Sequence, residues 1–181
     1  MQNLLTLSRR RFFLLLSAIG IIGPAKALGV AAAVTAPPAA GFRILGQSEV
    51  ALLELIVEQI IPADADPGAR DTRVVHYIDR VLAGEQNEKR KPYAAGLTSL
   101  EASSVARFGR KFRDVSFDQQ TTLLRDIEQG KVNATDWTAI AAPQFFNMVW
   151  RHTIEGFYGS PIHGGNKAHA SWKMIGYPTE H

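Results

Sequence analysis

Cysteine is absent from this sequence of 181 residues. Within this chain that absence excludes disulfide bridges, thiolate metal sites, covalent attachment of a c-type haem and a lipid anchor on a cysteine sulfur. The sequence also lacks the glycine-rich fingerprint GxGxxG and the P-loop, two common signatures of nucleotide binding. No run alternates apolar and polar residues as a half-buried strand does, and no segment is repeated. These absences favour a helical chain without the usual nucleotide-binding motifs.

Acidic residues are missing from the first 27 positions, which contain Arg9, Arg10, Arg11 and Lys26. The formal net charge of the whole chain is +3, from 20 basic and 17 acidic residues. Without these four cations the chain has 16 basic against 17 acidic residues, a net charge of −1. The basic character therefore lies in the leader, and the sequence predicts no nucleic-acid-binding function.

The leader has the three parts of a secretory signal peptide. The pair Arg9 and Arg10 precedes an apolar run over residues 12–22, and Ala-Lys-Ala at residues 25–27 forms a small-residue cleavage site. A paired arginine before a short apolar run is typical of twin-arginine export signals. We therefore expect residues 1–27 to be a cleaved export signal and the twin-arginine translocase to be a partner.

A retained membrane helix is the alternative interpretation of the leader, because apolar residues continue to Val34. Pro24 and Lys26 interrupt that stretch, and the uninterrupted run is shorter than the roughly 20 residues that a bilayer requires. The cleaved signal is therefore preferred, with Ala36 as a second cleavage position. Residues 28–46 contain small residues and prolines, so we expect a flexible mature N-terminus there.

Five segments of residues 47–181 place apolar residues at helical spacing. Ser48 is expected to cap the first helix and Asp71 to begin the second. Ser116 and Gln119 form a capping box before the fourth. The predicted helices run from Ser48 to about Ile61, from Asp71 past Leu82, from Pro92 to about Phe108, from Ser116 to about Gln129 and from Pro143 to Phe157. We predict an all-α bundle of about five helices.

Residues 156–178 are rich in glycine and in aromatic side chains. The glycines are Gly156, Gly159, Gly164, Gly165 and Gly176, and the large apolar side chains between them are Phe157, Tyr158, Trp172, Met174, Ile175 and Tyr177. Glycine suits positions where φ is positive or where another backbone comes close. Large aromatic side chains require burial, either in the chain's own core or against a partner. We therefore predict an irregular C-terminal extension that is not a regular helix.

An ordered set of motifs in this extension carries a family resemblance. The motifs are Gly156-Phe157-Tyr158-Gly159, Pro161, Gly164-Gly165-Asn166, Trp172 and Ile175-Gly176-Tyr177-Pro178, with Ile60-Ile61-Pro62-Ala63-Asp64, Pro67-Gly68-Ala69 and Tyr77-Ile78-Asp79-Arg80 upstream. This set resembles the small subunit of gluconate 2-dehydrogenase, a family also called subunit 3 or the gamma subunit. The resemblance covers most of the chain downstream of the leader.

The resemblance implies an accessory subunit that performs no catalysis itself. In such a complex an FAD-containing large subunit oxidises gluconate to 2-ketogluconate, and a multi-haem cytochrome c subunit passes electrons to quinone. The resemblance therefore implies FAD and haem c in partner subunits and no cofactor in this chain. It also implies a periplasmic location, with association to the inner membrane through those partners. We expect the leader to serve the flavoprotein, which folds in the cytoplasm and is exported together with this chain.

The glycine and aromatic extension is the predicted partner-binding segment. Glycines would let the backbone follow a partner surface, and aromatic side chains are enriched at interface hot spots. The predicted partner-binding residues are Phe157, Tyr158, Gly164, Gly165, Asn166, Trp172 and Tyr177. The sequence predicts no catalytic, cofactor-binding or metal-binding residue in this chain.

Three alternatives remain open at the level of sequence. The first alternative is an accessory subunit of a related FAD-dependent sugar or polyol dehydrogenase. The second is a stand-alone periplasmic helical protein whose aromatic loop closes over a small ligand. The third alternative is a metal-dependent enzyme that uses His163 and His169, which flank Gly164, Gly165 and Asn166. No carboxylate lies near these histidines in the sequence, so this last alternative is the weakest.

Overall fold

The computed structural model describes residues 38–179, in which helices are the only regular secondary structure. The α-helices are α1 (Gln47–Ile60), α2 (Val74–Ala83), α3 (Arg90–Phe108), α4 (Phe117–Glu128), α5 (Ala142–Tyr158) and α6 (Ala170–Met174). Short 3-10 turns occur at Asn87–Lys89, Phe112–Asp114, Ala134–Asp136, Pro161–His163 and Lys167–His169. The predicted all-α fold is confirmed. The predicted leader, with Arg9 and Arg10, lies outside the described residues.

Helix α5 lies at the centre of the bundle and contacts every other described helix. Phe145, Val149 and Phe157 are buried, and Trp150 and Ile154 pack half-buried against the same core. Each fully buried side chain of this size contributes roughly 1.5–3 kcal/mol to the hydrophobic stabilisation. The apolar face of this helix therefore packs into the chain's own core.

Of the two helix caps predicted at serines, one is confirmed and one is wrong. Ser116 N donates to Gln119 Oε1 at 3.0 Å, and Gln119 N donates to Ser116 Oγ at 3.3 Å, so the capping box is confirmed. The cap predicted at Ser48 is wrong, because α1 begins at Gln47. There Glu49 accepts a hydrogen bond from Gly46 N at 2.9 Å.

Asp71 does not begin the second helix, which starts at Val74. Arg73 has a φ of 58°, a left-handed conformation that cannot continue into the preceding residues as an α-helix. The Asp71 carboxylate instead accepts from Gly68 N at 2.9 Å. The prediction was therefore wrong about the helix start, and the carboxylate stabilises the turn.

The chain before α1 is tied to α2 by one buried carboxylate. Asp79 accepts backbone hydrogen bonds from Arg43 at 2.7 Å and from Ile44 and Leu45 at 3.0 Å each, and it is only 2% exposed. The ring of Phe42 stacks on His76, with 4.4 Å between ring centroids. Residues 42–45 of the predicted flexible segment 28–46 are thus hydrogen-bonded or packed against α2, and residues 28–37 of that segment lie outside the described residues.

Candidate functional site

The C-terminal extension consists of turns that fold back onto α2 and α5. Its first three residues, 156–158, complete the last turn of α5, and residues 159–169 contain two 3-10 turns. Helix α6 (Ala170–Met174) then follows, so the predicted irregular extension contains one short helix of five residues. The extension is therefore a folded part of the domain.

Asn166 holds the extension together from the inside. Its side chain is fully buried, and its φ is 44°. The Nδ2 group donates to Gly159 O at 3.0 Å, while Oδ1 accepts from Ser171 N at 3.0 Å. The hydroxyl of Ser171 donates in turn to Phe157 O. These bonds join the end of α5 to the start of α6.

Both glycines of the Gly164-Gly165 pair are required by packing within the chain. Gly164 has a φ of 104° and lies against the backbone of His76. A side chain at Gly165 would overlap the carbonyl oxygen of Gly156. The Arg80 guanidinium donates to Ile162 O and fixes the same turn to α2. These glycines let the extension pack closely on its own domain.

The predicted partner-binding residues divide into two groups. Phe157, Gly165 and Asn166 are buried inside the chain and Gly164 packs against α2, so these four support the extension. Tyr158, Trp172 and Tyr177 remain accessible to solvent. Partner contact stays a prediction, and it now rests on the accessible group.

The accessible group and two further residues of the extension, His169 and Ile175, make up what we call the aromatic surface: Tyr158, His169, Trp172, Ile175 and Tyr177. The indole Nε1 of Trp172 donates to Tyr158 O at 2.7 Å. The Trp172 ring lies 4.9 Å from the ring of Tyr177 and 5.2 Å from that of His169, centroid to centroid. Tyr158 is 36%, Tyr177 51% and Ile175 56% exposed. Such exposure of large apolar side chains is typical of interaction sites.

Three residues with a strained backbone lie in the turn that leads into this surface, and the last of them, His169, belongs to it. Asn166, Ala168 and His169 have φ values of 44°, 57° and 58°. For residues other than glycine the left-handed conformation costs about 1–2 kcal/mol each. The internal hydrogen bonds of Asn166, together with a bond from Lys167 N to Thr72 O at 3.1 Å, offset this cost. Strain of this kind clusters at functional sites.

The two histidines of the metal alternative lie in different surroundings. His163 is exposed, whereas His169 stacks on Trp172. Across residues 38–179, no group of three or more His, Cys, Asp or Glu side chains is placed to hold a metal ion. The described part of the chain therefore provides no ligand set around His163 and His169.

A buried polar network was not predicted from the sequence. Tyr93 Oη lies 2.7 Å from His152 Nδ1, and His152 Nε2 lies 3.0 Å from Gln86 Oε1. Burial lowers the pKa of His152 to about 4, and it raises the pKa of Tyr93 well above its ordinary value. Neutral His152 then accepts from Tyr93 and donates to Gln86, so both ring nitrogens are satisfied. The network joins α3 and α5 to Gln86, which directly precedes the Asn87–Lys89 turn. His152 is 59 residues from Tyr93 and 66 from Gln86 along the chain.

Comparison with known proteins bears on the same part of the chain. None of the helices within residues 38–179 is both long and apolar enough to cross a bilayer. No curated protein and no solved structure matches the sequence. A family model described as Gluconate 2-dehydrogenase subunit 3 matches residues 47–178, from the first residue of α1 to the end of the aromatic surface. The chain therefore belongs to the gluconate 2-dehydrogenase subunit 3 family.

Proposed function

We propose that this chain is the non-catalytic small subunit of a membrane-associated, FAD-dependent gluconate 2-dehydrogenase. In that complex the large subunit carries FAD and oxidises gluconate to 2-ketogluconate, and a multi-haem cytochrome c subunit delivers the electrons to quinone. The observation that carries the proposal is the family match over residues 47–178. The folded, aromatic C-terminal extension supports a binding role.

The buried histidine of the described chain is part of its fold. His152 is 2% exposed and bonded at both ring nitrogens. A base must reach the proton that it removes. The catalytic groups of the complex therefore belong, in this proposal, to the flavoprotein.

The chain has a second role in this proposal, which is the export of its partner. The twin-arginine route carries proteins that are already folded, and a flavoprotein must fold around FAD before it leaves the cytoplasm. The pair Arg9 and Arg10 lies in this chain. We propose that the flavoprotein is exported in complex with this chain and works in the periplasm, held at the inner membrane by the partner subunits.

Replacing Arg9 and Arg10 by lysine tests the proposal. The flavoprotein should then remain in the cytoplasm, and oxidation of gluconate by intact membranes should be lost. Arg11→Lys is the matched control, because it preserves charge and leaves the arginine pair intact. A flavoprotein that still reaches the periplasm in the double variant contradicts the export role. Full gluconate dehydrogenase activity in cells without this chain contradicts the accessory role as well.

Two related proposals share these observations. An accessory subunit of another FAD-dependent sugar or polyol dehydrogenase is distinguished by measuring turnover of the purified complex on gluconate and on a panel of sugars and polyols. A stand-alone periplasmic binding protein is favoured by the exposed aromatic surface, since aromatic rings also bind sugars. A mature chain that purifies as a stable monomer and never retains a flavoprotein supports the stand-alone protein.

A further inference from the structure

We propose that the aromatic surface is a pre-formed docking site for a protein surface that is apolar at its centre and acidic at its rim. The inference rests on the proposed function for the identity of that protein, which is the FAD-containing large subunit. Beyond the proposed function, the inference identifies the side chains that make the contact, the side chains that only support it, and the charge that the partner presents.

Exposure separates the side chains that contact the partner from those that support them. Tyr177 and Ile175 expose half or more of their surface. The Tyr177 ring packs against Trp172, whose ring and backbone both make hydrogen bonds. Tyr177 N donates to Trp172 O at 2.8 Å, which closes the turn after α6. Large side chains presented from a fixed turn are typical of interface hot spots.

Contacts within the chain order the aromatic surface without a partner. Asn166 and Ser171 connect α5 to α6 through buried hydrogen bonds, and three residues other than glycine hold positive φ values in the same turn. A surface that is already ordered loses less conformational entropy on association. The strain in this segment thus has a consequence for binding, because it fixes where Trp172 and Tyr177 lie.

Both formally charged side chains that the structure describes in the extension are positive. Residues 156–179 contain Lys167 and Lys173, both exposed, and no aspartate or glutamate, and Glu180 follows outside the described residues. The preceding acid, Glu155, accepts a hydrogen bond from Tyr77 Oη at 3.0 Å. The rest of the described chain, residues 38–155, carries no such excess of positive charge. The aromatic surface therefore fits a partner with acidic side chains at the rim of the contact.

Anionic lipid has the same charge but does not require a shaped surface. Interfacial anchors insert apolar side chains into a fluid layer, and their affinity depends on buried area and charge. The aromatic surface is instead held in one conformation by a fully buried asparagine and a strained turn. A fixed shape favours a protein partner with a complementary surface over a lipid headgroup.

The test measures binding of the full chain to the FAD-binding large subunit from the same genome, co-expressed and purified through a tag on that subunit. Retention is the amount of this chain per flavin, and the Kd is measured with the separated subunits. The double variant Ile175→Ser with Tyr177→Ser should weaken binding at least tenfold. Lys173→Glu should weaken it severalfold at low salt and less at high salt.

Matched controls lie at the other end of the bundle. Val105 is 48% exposed and lies two residues after Ser103, whose hydroxyl accepts a hydrogen bond from Trp137 Nε1. Lys131 follows Gly130, which lies next to Pro143 in the first turn of α5. Helix α5 has 17 residues and is about 25 Å long. Trp137 and Gly130 lie against Phe145 and Pro143 at its start, whereas the extension follows its end. Val105→Ser and Lys131→Glu should bind like the unchanged chain.

The outcomes separate this proposal from the proposed function. If the unchanged chain does not bind the flavoprotein, the proposed function itself is contradicted. If it binds and the surface variants bind equally well, only the docking surface is contradicted. Sedimentation with phosphatidylcholine and phosphatidylglycerol vesicles, lost in the same variants, would assign the surface to lipid and overturn the proposal. Unchanged melting temperatures would show that the variants fold.

Discussion

The indole N–H of Trp172 donates a hydrogen bond to the backbone carbonyl of Tyr158 at 2.7 Å, which ties helix α6 to the last residue of α5. The ring of Tyr177 packs on the same indole ring. One side chain therefore connects the end of the bundle to the end of the described chain. Its removal should loosen the extension without unfolding the core.

Trp172→Phe removes this hydrogen bond but retains an aromatic ring. We expect a loss of about 0.5–1.5 kcal/mol in the free energy of unfolding, because the bond is replaced by solvation of a partly exposed carbonyl. Amide exchange at Tyr177, whose N–H donates to Trp172 O, should become faster. Exchange in α3 should not change. Faster exchange throughout the bundle would show that Trp172 stabilises the whole fold and not the extension alone.

Asn166 is the support of the extension, and two substitutions separate its roles. Asn166→Ala removes both hydrogen bonds and places an alanine at a φ of 44°, so we expect a loss of about 2–4 kcal/mol in the free energy of unfolding. Asn166→Gly also removes the bonds but tolerates this backbone, and its loss should be smaller by about 1 kcal/mol. Urea denaturation gives both values. Equal losses would show that the left-handed backbone costs nothing here.

Much of the fold could be predicted because its signals are local. The capping box of Ser116 and Gln119 and the proline near the start of α3 depend on neighbours within a few residues, and both predictions were correct. The start of α2 was missed because Arg73 adopts a left-handed conformation that its neighbours in sequence do not indicate. Local patterns therefore located the helices better than their exact ends.

The site was predicted less well, because sequence shows which residues an extension contains but not which way they face. Asn166 and Phe157 stood out as readily as Tyr177, yet two of these are buried supports and one is exposed. The partners of Asp79 and His152 lie more than 30 residues away along the chain. Contacts of this range follow from tertiary packing, which periodicity does not reveal.

Asp79→Asn tests the attachment of the segment before α1. The change keeps the size of the side chain but removes its negative charge. It also replaces one of the two oxygens that accept hydrogen bonds from the backbone N–H groups of Arg43, Ile44 and Leu45. We expect a loss of about 2–3 kcal/mol in the free energy of unfolding, because hydrogen bonds to a charged group are the stronger kind.

Amide exchange shows whether that loss is local. Protection at Arg43, Ile44 and Leu45 should fall most in the Asp79→Asn variant. Asp114→Asn, at an exposed position, is the control and should change neither stability nor exchange by a measurable amount. Undiminished protection at the three amides would contradict the proposed attachment.

The buried His152 should make stability depend on pH. Burial lowers its pKa from 6.5 to about 4 in the folded chain, so the unfolded chain binds a proton more readily. The stabilisation from this residue is complete above pH 6.5 and is lost as the pH falls from 6.5 through about 4. The difference corresponds to about 3 kcal/mol.

His152→Gln isolates this dependence from that of other groups. Glutamine is neutral throughout, so the difference in unfolding free energy between the two proteins should shrink by about 3 kcal/mol between pH 7 and pH 4. His76, whose pKa burial also lowers, is present in both proteins and cancels in the comparison. Urea denaturation at several pH values measures the difference. A difference that does not vary with pH would show that His152 is free to take up a proton in the folded chain, and that its contacts with Tyr93 and Gln86 do not hold it neutral.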